Sequence, residues 1–172
     1  MNFHKRSLYR DLPASRLVYI LHKIEDAERS KFSESVTINS ALTLEHILPR
    51  TWAGTWPLKN GQHPNVEQIE WAKRQTVLGL PLDALSQEIS TRESVVDTLG
   101  NLTLIVGRLN SSVSNNPFAE KRTAILQHST LGLNRYFHGV DKWDEAEIGT
   151  RSEILFETAR TLWPRPTGAH VS

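Results

Sequence analysis

The best strand candidate in the chain is Leu102-Thr103-Leu104-Ile105-Val106, bracketed by Gly100 and Gly107, and it limits the fold more than any other feature. Apolar and β-branched residues between two glycines favour an extended, buried segment. A single strand leaves its N–H and C=O groups without partners, so it needs a second one beside it. The stretch carrying Leu42, Leu44 and Ile47, stopped by Pro49, has the β character to supply it. Most of the remaining periodic sequence is helical, so the fold class that follows is α+β, mostly helical, with one small strand pair.

The helical segments can be read from spacing and punctuation. Leu17, Val18, Ile20, Leu21 and Ile24 recur at helical intervals and predict an amphipathic helix from Ser15 to about Arg29. Trp52 to Pro64 is rich in Gly, Pro, Asn and aromatic residues and reads as an irregular loop. Pro64 at the first helical position would start a helix carrying Val66, Ile69 and Ala72, with Gly79 near its end. Pro81 would open a short helix through Leu82, Leu85 and Ile89, and Ser90-Thr91-Arg92-Glu93 has the form of a capping box for a separate turn before Gly100. Asn116-Pro117 reads as a cap and first residue for a helix through Phe118, Lys121, Arg122 and Ile125. Asp144 with Glu147 opens the clearest helix, about 144–163, with Ile148, Leu155, Ala159 and Leu162 on one stripe and Trp163-Pro164 at its end.

Composition narrows the function. At 172 residues, with 38% hydrophobic, the chain has the size of one domain with a packed core. Twenty Lys and Arg stand against 19 Asp and Glu, a net charge of +1, which argues against a highly basic coat protein and an acidic disordered tail. The lack of cysteine removes disulfides, thiol catalysis, Cys-ligated zinc and iron–sulfur clusters, and fits a reducing cytosol. The run from Leu102 to Val106 is far too short to span a bilayer, and no apolar segment follows the basic N-terminus. The expectation is a cytoplasmic protein without a membrane partner. Charge is nonetheless uneven: in the stretch 101–136, Arg108, Lys121, Arg122 and Arg135 face only Glu120.

Three polar motifs interrupt this framework. Glu45-His46 sits between apolar neighbours, a carboxylate next to an imidazole whose ordinary pKa suits a general base near neutral pH. On an extended segment the two side chains point to opposite faces, whereas in a bend both approach one ion and its water. Taken alone, the pair reads better as a turn with an ordinary histidine. Asn101, opening Leu102-Thr103-Leu104, and Asn110, followed by Ser111-Ser112 and Ser114-Asn115-Asn116, read singly as a turn residue and a cap.

Together, His46, a strand-edge Asn101 and then Asn110 before a helix follow the order of a ββα-metal finger. Glu45-His46-Ile47-Leu48-Pro49 resembles an EHI-x-P motif, Gly100-Asn101-Leu102-Thr103-Leu104 a GNLTL strand, and Asn110 with Ser114-Asn115, Phe118 and Lys121 an N-x-x-x-S-N-x-x-F-x-x-K segment. Trp143, Ile148, Arg151, Leu155, Ala159 and Trp163 are similar in spacing to a closing helix. On these residues, from about Leu8 to Trp163, the chain resembles the HNH (His-Me finger) nucleases, specifically the DUF1524 branch. That branch forms the C-terminal nuclease domain of GmrSD-type modification-dependent restriction enzymes and related phage-defence proteins.

The resemblance implies a His-Me finger over about 42–127, interrupted by a long insertion at 52–99 and surrounded by helices. It implies a metal-dependent DNA endonuclease or nickase acting in restriction of foreign or modified DNA. His46 would be the general base. Glu45 and Asn110 would be oxygen ligands of a divalent cation, Mg²⁺ or Mn²⁺, and Asn101 would hold the His46 loop by hydrogen bonds. Lys121, Arg122 and Arg108 would meet phosphates of double-stranded DNA. Trp52, Trp56 and Trp71 in the insertion are expected in the core or as loop anchors, and His63 as a turn residue before a helix. The family also implies that the chain is the C-terminal part of a longer protein with an N-terminal ParB-like nucleotide-hydrolysing sensor domain as partner. The alternative is a non-catalytic DNA- or partner-binding module on the same fold.

Overall fold

A computed structural model describes residues 5–30, 41–107 and 115–164. Two strands, β1 (Leu42–His46) and β2 (Leu102–Val106), pair antiparallel with Leu44 opposite Leu104 and His46 opposite Leu102. Side chains alternate across a strand. Leu102 and Leu104 therefore face one apolar cluster with Leu17, Leu21, Ile24, Leu133 and Leu155, while Ile105 faces a second with Ile47, Trp52, Ile89, Ile125 and Phe137. The small sheet divides two cores, which is why β2 is buried along nearly its whole length.

Around it lie α1 (Leu8–Asp11), α2 (Ala14–Ser30), α3 (Val66–Val77), α4 (Ala84–Val96), α5 (Phe118–His128), α6 (Gly132–Arg135) and α7 (Glu145–Leu162). Short 3₁₀ turns occupy Trp52–Gly54, Leu99–Asn101 and Tyr136–Gly139. The fold is thus α+β and mostly helical. No helix among the described residues is long and apolar enough to cross a membrane.

Several boundaries differ from the sequence expectation for local reasons. α3 begins at Val66 and not at Pro64, because Asn65 caps it: its side chain accepts from the Gln68 N–H while Gln68 Oε1 accepts from the Asn65 N–H, a capping box. Gly79, at φ 65°, then takes the left-handed conformation that ends the helix. The two short elements expected after Pro81 are one helix, α4, capped by Asp83. Nothing between Ala84 and Val96 is Gly or Pro, and Thr91 spends its hydroxyl on the Gln87 carbonyl inside the helix. At α5 the cap position is Pro117, one residue later than expected. Asp144 caps α7 as its sequence suggests, accepting from the Ala146 and Glu147 N–H groups.

Candidate active site

The end of β1 delivers Glu45 and His46 on successive positions of an extended strand, and each enters a different environment. Glu45 is buried and its Oε1 accepts from Lys121 Nζ at 2.6 Å; the same ammonium donates to the His46 carbonyl at 2.7 Å. Lys121, from α5, has no exposed surface. Burial pulls its pKa down against the opposing pull of the Glu45 carboxylate. The second carboxylate oxygen of Glu45 accepts no hydrogen bond from the described residues.

On the other side, His46 Nε2 lies 3.2 Å from Oδ1 of Asp97, the residue that follows α4. Asp97 is fully buried. Arg10 Nε donates to its Oδ2 at 2.7 Å, and Arg50 Nε sits 3.5 Å from its Oδ1. Burial alone raises a carboxyl pKa; here the hydrogen bonds from His46 and Arg10 and the charge of Arg50 outweigh it and hold Asp97 at about 2. The Tyr9 ring meets the His46 ring edge-on at 4.6 Å, the Arg50 guanidinium lies 5.3 Å from the Tyr9 centroid, and the Tyr9 N–H donates to the Asp97 carbonyl at 3.1 Å. Since Asp97 is an acceptor, the geometry favours the tautomer with the proton on Nε2, leaving a lone pair on Nδ1.

The chain after His46 is held by Asn101. Its Oδ1 accepts from the Leu48 N–H at 2.8 Å and from Trp143 Nε1 at 3.0 Å, and its Nδ2 donates to the carbonyls of Leu48 and Val96. One buried amide thus joins the His46 loop, the end of α4 and the segment before α7. Behind it, Arg151 Nη1 donates to the Gly100 and Leu102 carbonyls, and Ser152 Oγ accepts from the Gly100 N–H. A Cβ at Gly100 would lie 2.1 Å from the Ile148 carbonyl, so only glycine lets α7 come this close.

The remaining expected residues fall in different places. Asn110 and Arg108 lie outside the described residues. Lys121 is engaged inside the protein with Glu45 and does not face solvent, which differs from the phosphate contact expected of it. Arg122 donates from Nε to the Phe137 carbonyl and from Nη2 to the His138 carbonyl, capping a turn. Trp52 and Trp56 are buried, with indole N–H groups donating to Glu93 and the Asn116 carbonyl, while Trp71 is 55% exposed on α3. His63 pairs with the Ala53 carbonyl.

Asp97, Arg10, Arg50 and Tyr9 were not among the residues singled out from sequence. Asp97 stands 51 positions from His46, and only its place just ahead of Gly100-Asn101 hints at a role. Among the described residues no group of three His, Asp or Glu side chains gathers to hold a metal ion. A single carboxylate with a spare oxygen suits a hard divalent cation that keeps several waters, but Glu45 and His46, on successive positions of a strand, face opposite sides instead of meeting in a bend.

Residues 2–158 match the family model described as "GmrSD restriction endonucleases, C-terminal domain". No curated protein and no solved structure matches the chain.

Proposed function

The chain belongs to the family of GmrSD restriction endonuclease C-terminal domains, and on that premise we propose that it is a metal-dependent DNA nickase or endonuclease of the His-Me finger type, with His46 as its general base. The observation that carries this reading is the His46–Asp97 pair: an imidazole at the end of a strand, 13% exposed, with one nitrogen on a buried carboxylate.

Hydrolysis of a phosphodiester needs a deprotonated water in line with the leaving 3′ oxygen and a means of taking up charge on that oxygen. His46 Nδ1 accepts the proton of the attacking water, and Asp97 stabilises the imidazolium that results. The P–O3′ bond breaks as the new P–O bond forms, and the departing 3′ oxygen takes a proton from solvent water, giving a 5′ phosphate and a 3′ hydroxyl. Glu45 Oε2 and Asn110 would hold a divalent cation, Mg²⁺ or Mn²⁺, which when bound supplies Lewis-acid stabilisation of the leaving oxygen. Lys121 orients Glu45 from behind, and Asn101 fixes the backbone that carries His46. Within a longer parent protein with a sensor domain, such a domain acts on foreign or modified DNA.

Conversion of supercoiled plasmid to nicked circle tests the reading, with wild type and His46→Ala compared in Mg²⁺, Mn²⁺ or EDTA. A general base of this kind contributes about 10²–10⁴ in rate, so the variant should lose that much and EDTA should stop wild type. Equal cleavage by both proteins overturns the assignment of His46. Salt-sensitive DNA binding with no cleavage by wild type favours a non-catalytic binding module.

A further inference from the structure

We propose that Arg10 and Arg50 form a two-guanidinium site beside His46 that takes a backbone phosphate of the DNA substrate. The inference rests on the nuclease reading and adds to it the groups that hold the strand.

Both arginines reach the same buried carboxylate, and both do so through Nε: Arg10 at 2.7 Å and Arg50 at 3.5 Å from the two oxygens of Asp97. Among the described residues their terminal amino groups have no hydrogen-bond partner, and the side chains are 56% and 55% exposed. Other arginines of this protein are spent differently. Arg92 and Arg151 are buried with Nη1 donating to two carbonyls each, and Arg122 caps a turn. An arginine–carboxylate pair is frequently two parallel bonds at once, although Arg29 and Arg92 also reach Glu25 and Glu145 through Nε. Arg10 and Arg50 instead keep their forks free at the surface.

The charge count points the same way. Two guanidiniums share one carboxylate, and His46 on that carboxylate is neutral in its basic form, so the cluster carries a surplus of one positive charge. Tethering α1 does not explain it, since the Tyr9 N–H already bonds the Asp97 carbonyl and Leu8 is buried in the core. Tyr9 also lies between the parts: its ring meets His46 at 4.6 Å and carries Arg50 at 5.3 Å. A planar guanidinium fork matches phosphate oxygens, and here two forks are anchored on one carboxylate beside His46. Lys121 is engaged inside the protein and Arg122 on the Phe137 and His138 carbonyls, so neither offers the free fork that Arg10 and Arg50 keep beside His46.

The test is anisotropy of a short fluorescent DNA duplex, titrated with the full chain in EDTA across a range of salt. Each phosphate neutralised adds about 0.9 to the slope of log affinity against log salt. The Arg10→Gln/Arg50→Gln protein should lower that slope by about one, while Arg74→Ala, exposed on α3, leaves it unchanged. Near-ultraviolet circular dichroism reports whether the double variant is folded. If it is not, Arg50→Gln alone keeps the Arg10 and His46 bonds to Asp97 and should weaken binding by about tenfold or more at low salt, the value of one charge-assisted hydrogen bond. An unchanged slope and affinity in a folded variant overturn the proposal, as does wild type that binds DNA without salt dependence or not at all. Because no cleavage is needed, the two readings fail separately. Wild type that never nicks but loses its slope with these arginines sinks the nuclease and leaves the phosphate site standing.

Discussion

Three groups able to carry positive charge converge on the two oxygens of Asp97, which has no exposed surface. Its folded pKa of about 2 lies below the ordinary aspartate value near 3.9. Its contribution to stability is therefore complete above about pH 4 and is lost as pH falls towards 2, amounting to about 2 kcal/mol. Thermal melts of wild type should steepen their decline between pH 4 and 2, and Asp97→Asn should flatten that part of the curve while lying lower at neutral pH. Asn101→Ala strips partners from the Leu48 N–H and carbonyl, the Val96 carbonyl and the Trp143 indole at once, and should cost about 3–5 kcal/mol in chemical denaturation. Lys121→Met leaves the Glu45 carboxylate buried without its cation, and urea unfolding should show a loss of about 3–5 kcal/mol. Glu45, His46 and Asn101 stand out in sequence because each belongs to a short local motif. Asp97 and Arg10 do not, since their meeting depends on how α1 and α4 pack.

At the scale of elements, periodicity gave α2 and α7 nearly to the residue, because each has an apolar stripe and α7 a clear cap. The strand pair was legible from Leu102 to Val106 and from Leu42, Leu44 and Ile47. The single helix α4 was not, because Pro81 and the Ser90-Thr91-Arg92-Glu93 pattern look like two starts while the chain uses only Asp83. The four-residue helices α1 and α6 carry too few residues to show a period. The tightest junction between elements is Gly100 against α7. Gly100→Ala should force the Ile148 carbonyl and the Ser152 backbone away, lowering the melting temperature well beyond an ordinary surface substitution. By contrast, Asn65→Ala removes only a helix cap on α3 and should cost about 1 kcal/mol, which the same melts would resolve.

At the scale of the whole molecule, the sheet is a partition rather than a layer, and the helices on its two sides belong to different apolar clusters. α7 secures both: Ile148 packs in one cluster and Leu155 in the other, with Arg151 between them on the Gly100 and Leu102 carbonyls. Ending the chain before Glu145 should therefore unfold both clusters together, seen as loss of near-ultraviolet circular dichroism and rapid digestion by trypsin. The long separation between the two strands has a kinetic side as well. Asn101 meets Leu48 across 53 positions, where a tight hairpin would span only a few. Closing a loop of that length costs about 3 kcal/mol more entropy than closing a two-residue turn. A chain this rich in local helical contacts would otherwise refold quickly, but its high-separation contacts gather in the segment that carries His46, so the rate should be set there. On that order the helices should form early and the proposed site should be among the last parts to assemble, so a newly made or partly unfolded chain would lack an organised centre to act on the DNA around it.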